Sequence, residues 1–595
     1  MHLQHHLRAV AMLAATGLVL AACTGGASSE GEAENAAMIA LEADESPTYI
    51  LPSDPQCTAV NNHYLRRLLW RPLYWYGGVP GDEFALNEQL SLAEPPDYSD
   101  DGKQVTVTLK DFNWSDGQPV TARDVEFFVN LYQASKKEWG CYSPGGLPDN
   151  IEKMTLKDDK TIVFTLDRGY SPDWLTVNVL AEIVPMPQHA WDKTSEDGDV
   201  GDHDQTKDGG KAVFDFLTEQ AKSVSTYASN PLWQVVNGPW RLQAWDPRGD
   251  IVFEPNEKYS GPDKPKLSRI VEKRFTTDEA EYNALLSGDE LTTGYIPSQN
   301  AAQVERVTDL GYRSYQSGNF GISYIQLNWQ SNAVSALFHQ HYIRQALQHM
   351  INQPQYVKVA YNGNAAEVHG PVPTKPENPY VSDYVKSVPY KYDPQAAVRL
   401  LEENGWTVNP DGASVCTNPG TGDGQCGEGV ERGQEFTFRL VYAKGVQSDQ
   451  MMQAFKSSAA RAGITVQLRQ ATLDQVFSIT NICKKGKRQC DWDAAYYGGW
   501  TFGPYPTGEN LYLSGASENN YSDPKADELI LATKTEPGKQ HMTEYQDYVA
   551  EQIPELYMPR EQGGLNVVDS GLKGYERDEQ ALFGDIYPQY WYFSE

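Results

Sequence analysis

Residues 104–132 commit the chain to mixed α/β architecture more firmly than any other stretch. Val105, Val107 and Leu109 alternate with Thr106, Thr108 and Lys110, the period of a strand with one buried face. Ser115-Asp116-Gly117 is a turn signal. Thr121 and Asp124 then stand at capping-box spacing ahead of the apolar run VEFFVNLY, so a helix follows the turn directly. Asp393-Pro394 and Asp523-Pro524 place an N-cap aspartate before a proline at the first helical position, which predicts two more helix starts. The stretch ALFHQHYIRQALQHMI spaces Leu337, Phe338, Leu347, Met350 and Ile351 as one helical stripe. Strands and helices alternate irregularly, which predicts α/β or α+β domains with mixed sheets. A chain of 595 residues is too long for one core and predicts two or three domains.

The N-terminus carries a separate signal. After MHLQHHLR, no charge occurs from Ala9 to Ala22. That run is shorter than the ~20 apolar residues a membrane-spanning helix needs, and it fits a secretory signal. Leu20-Ala21-Ala22-Cys23 resembles a bacterial lipobox, in which the cysteine receives a lipid after cleavage before it. The reading is a signal peptide over 1–22, a lipid on Cys23 and a flexible tether over 23–44, with the fold starting at the strand-like TYILP. No later segment is apolar for 18 residues, so the body is not expected to span a membrane.

Six cysteines remain: Cys57, Cys141, Cys416, Cys426, Cys483 and Cys490. An even number in an exported chain predicts disulfides. Sequence proximity favours Cys416–Cys426 and Cys483–Cys490, leaving Cys57–Cys141. The segment 409–429 then reads as a disulfide-pinned hairpin, and 195–211 as a surface insertion. No C-x₂-C pair or flanking histidine pair is present, so no metal site is expected. Net charge is −31, which argues against nucleic acid as a partner.

Common catalytic signatures are absent: no G-x-S-x-G, Walker A or H-E-x-x-H. His339 and His341 are two apart and do not share a helix face. Aromatic residues are abundant instead, with 35 Tyr, 14 Trp and 18 Phe. They cluster at 70–76 (WRPLYWY), 324–329 (YIQLNW) and 492–505 (WDAAYYGGWTFGPY). Many such residues must pack a core; the third cluster, opened by glycines, equally suits a cleft lined with aromatic faces.

Several segments, in order, resemble the family 5 extracellular solute-binding proteins of ABC importers, the oligopeptide- and dipeptide-binding group. The 104–132 unit matches that family's strand, D-G-x-P-T-A-x-D-V turn and helix through Asp116, Gly117, Pro119, Thr121, Ala122, Asp124 and Val125. Gly238, Pro239, Leu242, Trp245, Asn256, Tyr259 and Gly261 match a second segment, and Asn328, Arg344, Gln345 and Ala346 a third. YDPQAAVRLLEENGW matches a fourth. The resemblance implies an α/β, two-lobed periplasmic-binding-protein-like fold of the large family 5 type, with a hinge and an interlobe ligand cleft. It places lobe 1 over 45–322, including a 90–228 subdomain, lobe 2 over 323–566, and a C-terminal return to lobe 1 over 567–595.

The resemblance further implies an extracytoplasmic, monomeric, lipid-anchored binding protein rather than an enzyme. It would need no cofactor and would deliver a small, peptide-like solute to a membrane permease with its ATPase subunits. The residues it points to are Arg71, Trp75, Tyr324, Asn328, Tyr497, Trp500, Thr501, Phe502, Gly503 and Tyr505. One departure stands out. Peptide-binding members use W-x-x-D, whose carboxylate takes the peptide's α-ammonium; here Trp500-Thr501-Phe502-Gly503 ends in glycine, and the nearest acid downstream is Glu509. An acid in some members' first-lobe strand is replaced by Arg71. A non-peptide solute (an oligosaccharide, an anion facing Arg71, or a chelate) is therefore an alternative. A secreted lipoprotein hydrolase and a surface sensor or adhesin are others.

Overall fold

The computed structural model describes residues 35–41, 49–52, 60–140, 142, 144–246, 249–288, 291–330, 332–480, 492–515, 520–582 and 585–594. Two large sheets anchor two lobes. The first has seven strands, in the order Tyr312–Gln316, Leu565–Asp569, Thr293–Ile296, Ala36–Leu41, Arg269–Arg274, Ile251–Pro255 and Trp240–Trp245. The second centres on Gly321–Leu327, which pairs with Ala494–Tyr496, Gly499–Thr501 and Leu556–Met558; Thr437–Ala443 and Thr465–Ala471 extend it in parallel.

A four-stranded antiparallel sheet belongs to the first lobe. It contains Gln104–Thr108, paired with Thr161–Leu166. The expected helix follows as Ala122–Ser135, and Asp124 Oδ2 accepts from Thr121 N at 2.8 Å. The same carboxyl group accepts from Gln188 N at 2.9 Å and Trp114 Nε1 at 3.3 Å, so the cap also pins a neighbouring loop. The predicted aspartate caps form as well. Asp393 accepts from Gln395 and Ala396 at the start of Pro394–Glu403, and Asp523 from Lys525 and Ala526 at the start of Pro524–Thr535.

Three expectations need correction. Residues 36–41, assigned to the tether, form a strand in the interior of the seven-stranded sheet, parallel to Arg269–Arg274 from Ala36↔Arg269 to Leu41↔Arg274. The polar composition around them masks the apolar run AAMIAL. Tyr49, Ile50 and Leu51 are buried but form no strand. The stripe over 336–351 is two helices, Asn332–His339 and His341–His349, because Gln340 leaves helical geometry with ψ 119°. Its side-chain amide donates to Ala336 O and Glu428 O instead.

The 409–429 segment is held by a Cys416–Cys426 disulfide beside the antiparallel pair Trp406–Thr407 and Val415–Cys416. Cys23, Cys57, Cys141, Cys483 and Cys490 lie outside the described residues. The segment 195–211 is not all loop: from Lys207 it is helix, capped by Thr206.

Candidate functional site

Among the described residues the chain passes between the lobes twice, and the crossings lie side by side. One joins Tyr312–Gln316 to Gly321–Leu327; the other joins Leu556–Met558 to Leu565–Asp569. Ser317 N donates to Gly564 O at 3.1 Å. Gly563 has φ +109°, and a Cβ there would sit 2.2 Å from Ser317 O. Only glycine permits this backbone approach. Arg560 Nη2 ties the crossings together, donating to Asn319 Oδ1 at 3.2 Å and Thr501 Oγ1 at 2.9 Å. Desolvation lowers its pKa.

Aromatic rings from both lobes meet beside this hinge. Phe502 N donates to Phe320 O at 2.8 Å, which brings the two loops of lobe 2 together. Phe84 of lobe 1 reaches over to them, its ring 4.9 Å from Phe320 and 6.3 Å from Tyr380. Tyr380 in turn lies 5.6 Å from Tyr505. Next to these rings opens a cleft of about 310 Å³, at the small end of the ~300–1,000 Å³ range for ligand pockets. Lobe 1 lines it with Asp82, Phe84 and Asp173; lobe 2 with Pro379, Tyr380, Tyr505, Gly538, Lys539 and Met542. Burial, then the charges of Asp173 and Asp82, push the Tyr380 phenol up to about 12.

A second contact closes the lobes nearby. Ser171 N donates to Lys534 O at 2.8 Å. Trp174 Nε1 donates to Glu509 Oε1 at 3.2 Å, and Lys534 Nζ pairs with Glu509 Oε2 at 2.6 Å while lying 4.5 Å from the Trp174 ring centre. The Lys534 and Glu509 side chains are 9% and 13% exposed. Glu509, the nearest acid after Gly503, is thus committed to the lobe contact.

The residues singled out from sequence divide into three groups. Thr501, Phe502, Gly503 and Tyr505 lie along the lobe 2 side of the interface with Trp500, which packs on the large core. Tyr505 lines the cleft, and its hydroxyl donates to Thr533 O at 3.0 Å. Gly503 is exposed, and a Cβ there would meet nothing within 4 Å. Tyr324, Asn328 and Tyr497 hold lobe 2 together. Tyr324 N donates to Gly498 O at 3.2 Å, Asn328 Nδ2 to Trp492 O at 3.0 Å, and Tyr497 Oη to Gln326 Oε1 at 3.1 Å. Arg71 and Trp75 sit inside lobe 1, 1% and 0% exposed, with the guanidinium 4.7 Å from the Trp75 ring centre.

Asp82, Phe84, Asp173, Phe320, Tyr380 and Lys539 were not singled out. They come from separate loops and helix starts, and nothing in their local sequence marks them. Among the described residues, no group of three or more His, Cys, Asp or Glu could hold a metal. His339 and His341 face Trp329 O and Glu551 O, and burial lowers both pKa values.

Residues 89–522 match the family of bacterial extracellular solute-binding proteins, family 5. The chain belongs to this family. Among curated relatives, protein XP55 of Streptomyces lividans is 27% identical over 66% of this chain and 61% of its own length. A Brucella ovis protein named as an ABC transporter peptide-binding protein is 26% identical over 57% of this chain and 56% of its own. The matches thus span less than two thirds of these relatives. Among solved structures, oligopeptide-binding AppA of Bacillus subtilis, in complex with a nonapeptide, superposes with TM-score 0.66 at 18% identity, covering 94% of this chain and 100% of that one. NikZ of Campylobacter jejuni, in complex with Ni(L-His), gives 0.63 at 16% identity over 94% and 99%. These likenesses establish the two-lobed family 5 fold.

Proposed function

We propose that this chain is the extracytoplasmic, lipid-anchored solute-binding subunit of an ABC importer, capturing a peptide or peptide-like solute between its lobes for delivery to a membrane permease. The observation that carries the reading is the cleft lined from both lobes beside two adjoining chain crossings. A hinge there lets the lobes close over a ligand. Micromolar capture needs about 8 kcal/mol, within reach of such a cleft. The named ligands of the structural relatives, a nonapeptide and a nickel–histidine chelate, support a small polar solute. Lobe 1 would hold the seven-stranded sheet and its return strand, and lobe 2 the segment between the crossings. Cys23 would carry the lipid that keeps the monomer beside its permease.

The test is native mass spectrometry on the mature chain purified from an expressing host, followed by calorimetry with the solute found. A non-covalent adduct lost on denaturation, and rebound with micromolar affinity, is expected. An empty protein that binds nothing in a broad screen of peptides, sugars and chelates overturns the capture reading. Radiolabelled palmitate incorporation that survives Cys23→Ala would refute the anchor.

A further inference from the structure

The residues with which lobe 2 lines the cleft include no carboxylate, and Glu509 is held by Trp174 and Lys534. Lobe 1 offers two carboxylates. Asp82 and Asp173 line the cleft, both are exposed, and neither forms an ion pair among the described residues. Asp82 spends only Oδ1, accepting from Phe84 N at 3.1 Å. Opposite stand the rings of Tyr380 and Tyr505, with Phe84 between the lobes. Lys539 reaches the same cleft from lobe 2 but is exposed and pairs with neither carboxylate. Two like charges on one lip of a narrow, aromatic-walled space repel each other and attract a cation, and ring faces add to that attraction. An anion would find no help from Arg71, which is buried against Trp75 and Tyr259.

We propose that the interlobe cleft takes an organic cation: an ammonium or guanidinium group of the captured solute lies between the Asp82 and Asp173 carboxylates, with its carbon chain against Phe84, Tyr380 and Tyr505. This inference rests on the capture reading above and names the chemistry it selects. The negative charge comes from lobe 1 and most of the apolar wall from lobe 2, so the cation is held fully only when the lobes are closed.

The probe is n-butylammonium, compared with n-butanol and butyrate by saturation-transfer NMR on the full mature chain. Butylammonium is expected to bind at least about tenfold more tightly than either, as for one charge-assisted contact. The Asp82→Asn/Asp173→Asn variant is expected to lose that preference. Equal binding of the three probes, no binding of butylammonium, or a preference unchanged in the variant overturns the proposal. Lys539→Met removes a competing exposed cation and is expected to strengthen butylammonium binding severalfold; weaker binding counts against the proposal. Ala-Ala-Lys and its Nα-acetyl and Nε-acetyl forms then show whether a terminal or a side-chain ammonium occupies the site. A co-purified solute with no cationic group would sink this inference while leaving capture intact. A chain that binds no solute of any class sinks capture itself.

Discussion

Asp173 and Trp174 are neighbours in one short helix, Pro172–Asn178, and meet the opposite lobe in contrasting ways. Trp174 belongs to a contact in which charge is matched: its indole, Glu509 and Lys534 satisfy one another with little exposure. Asp173 faces the open cleft with Asp82, and neither has a cationic partner among the described residues. The first contact can hold the lobes together without help. In the second, the one cation lining the cleft, Lys539, pairs with neither carboxylate. On the proposal above, closure and recognition are divided between adjacent residues, so each can be perturbed alone.

The largest effect should come from the matched side. Lys534→Met leaves Glu509 mostly buried and unpaired, which costs roughly 3 kcal/mol for a pair of this kind. Urea denaturation should show that loss, and small-angle scattering should show a more open ligand-free chain. Adding Glu509→Gln should recover part of the stability; a double variant as unstable as the sum of the singles would break the comparison.

On the cleft side, Gly503→Asp should give lobe 2 a carboxylate at no steric cost, since a Cβ there meets nothing within 4 Å. Calorimetry with Ala-Ala-Ala should then show binding at least about tenfold tighter than in the unaltered chain. Submicromolar dipeptide binding by the unaltered chain would remove the basis for this prediction.

The smallest effect concerns pH. Glu83, next to Asp82, accepts from Gly78 N at 3.2 Å, and burial pushes its carboxyl up to about 7. A raised folded-state value means the protonated form is favoured in the fold. Its stabilising contribution is full below the unfolded value and fades as pH rises through about 7. Melting temperatures of Glu83→Gln should therefore depend less on pH between about 4.5 and 7 than those of the unaltered chain. Identical profiles would show that Glu83 does not contribute.

Legibility followed the range of the interactions. The 104–132 unit was readable because its strand period, turn and cap all lie within one local stretch. The two-lobed fold was readable through ordered motifs spread along the chain. The strand Ala36–Leu41 was not, because six apolar residues in an acidic, small-residue context carry no periodic signal; only Arg269–Arg274 shows what they are for. The break at Gln340 depends on a hairpin loop far along the chain. At the site, Trp500 to Tyr505 announced themselves as an aromatic run opened by glycines. Asp82, Asp173 and Tyr380 did not, since each is an ordinary loop or helix-start residue until the fold gathers them.

The interior position of Ala36–Leu41 also bears on the order in which the molecule can assemble. Its parallel neighbour is residues 269–274, and the same sheet is completed only by Leu565–Asp569, close to the C-terminus. The earliest of the described strands must therefore wait for a partner made much later, and the sheet for one made near the end. Such distant pairings are slow to form, because the long intervening loops must close first. The topology thus postpones completion of lobe 1 until nearly all of the described chain is present.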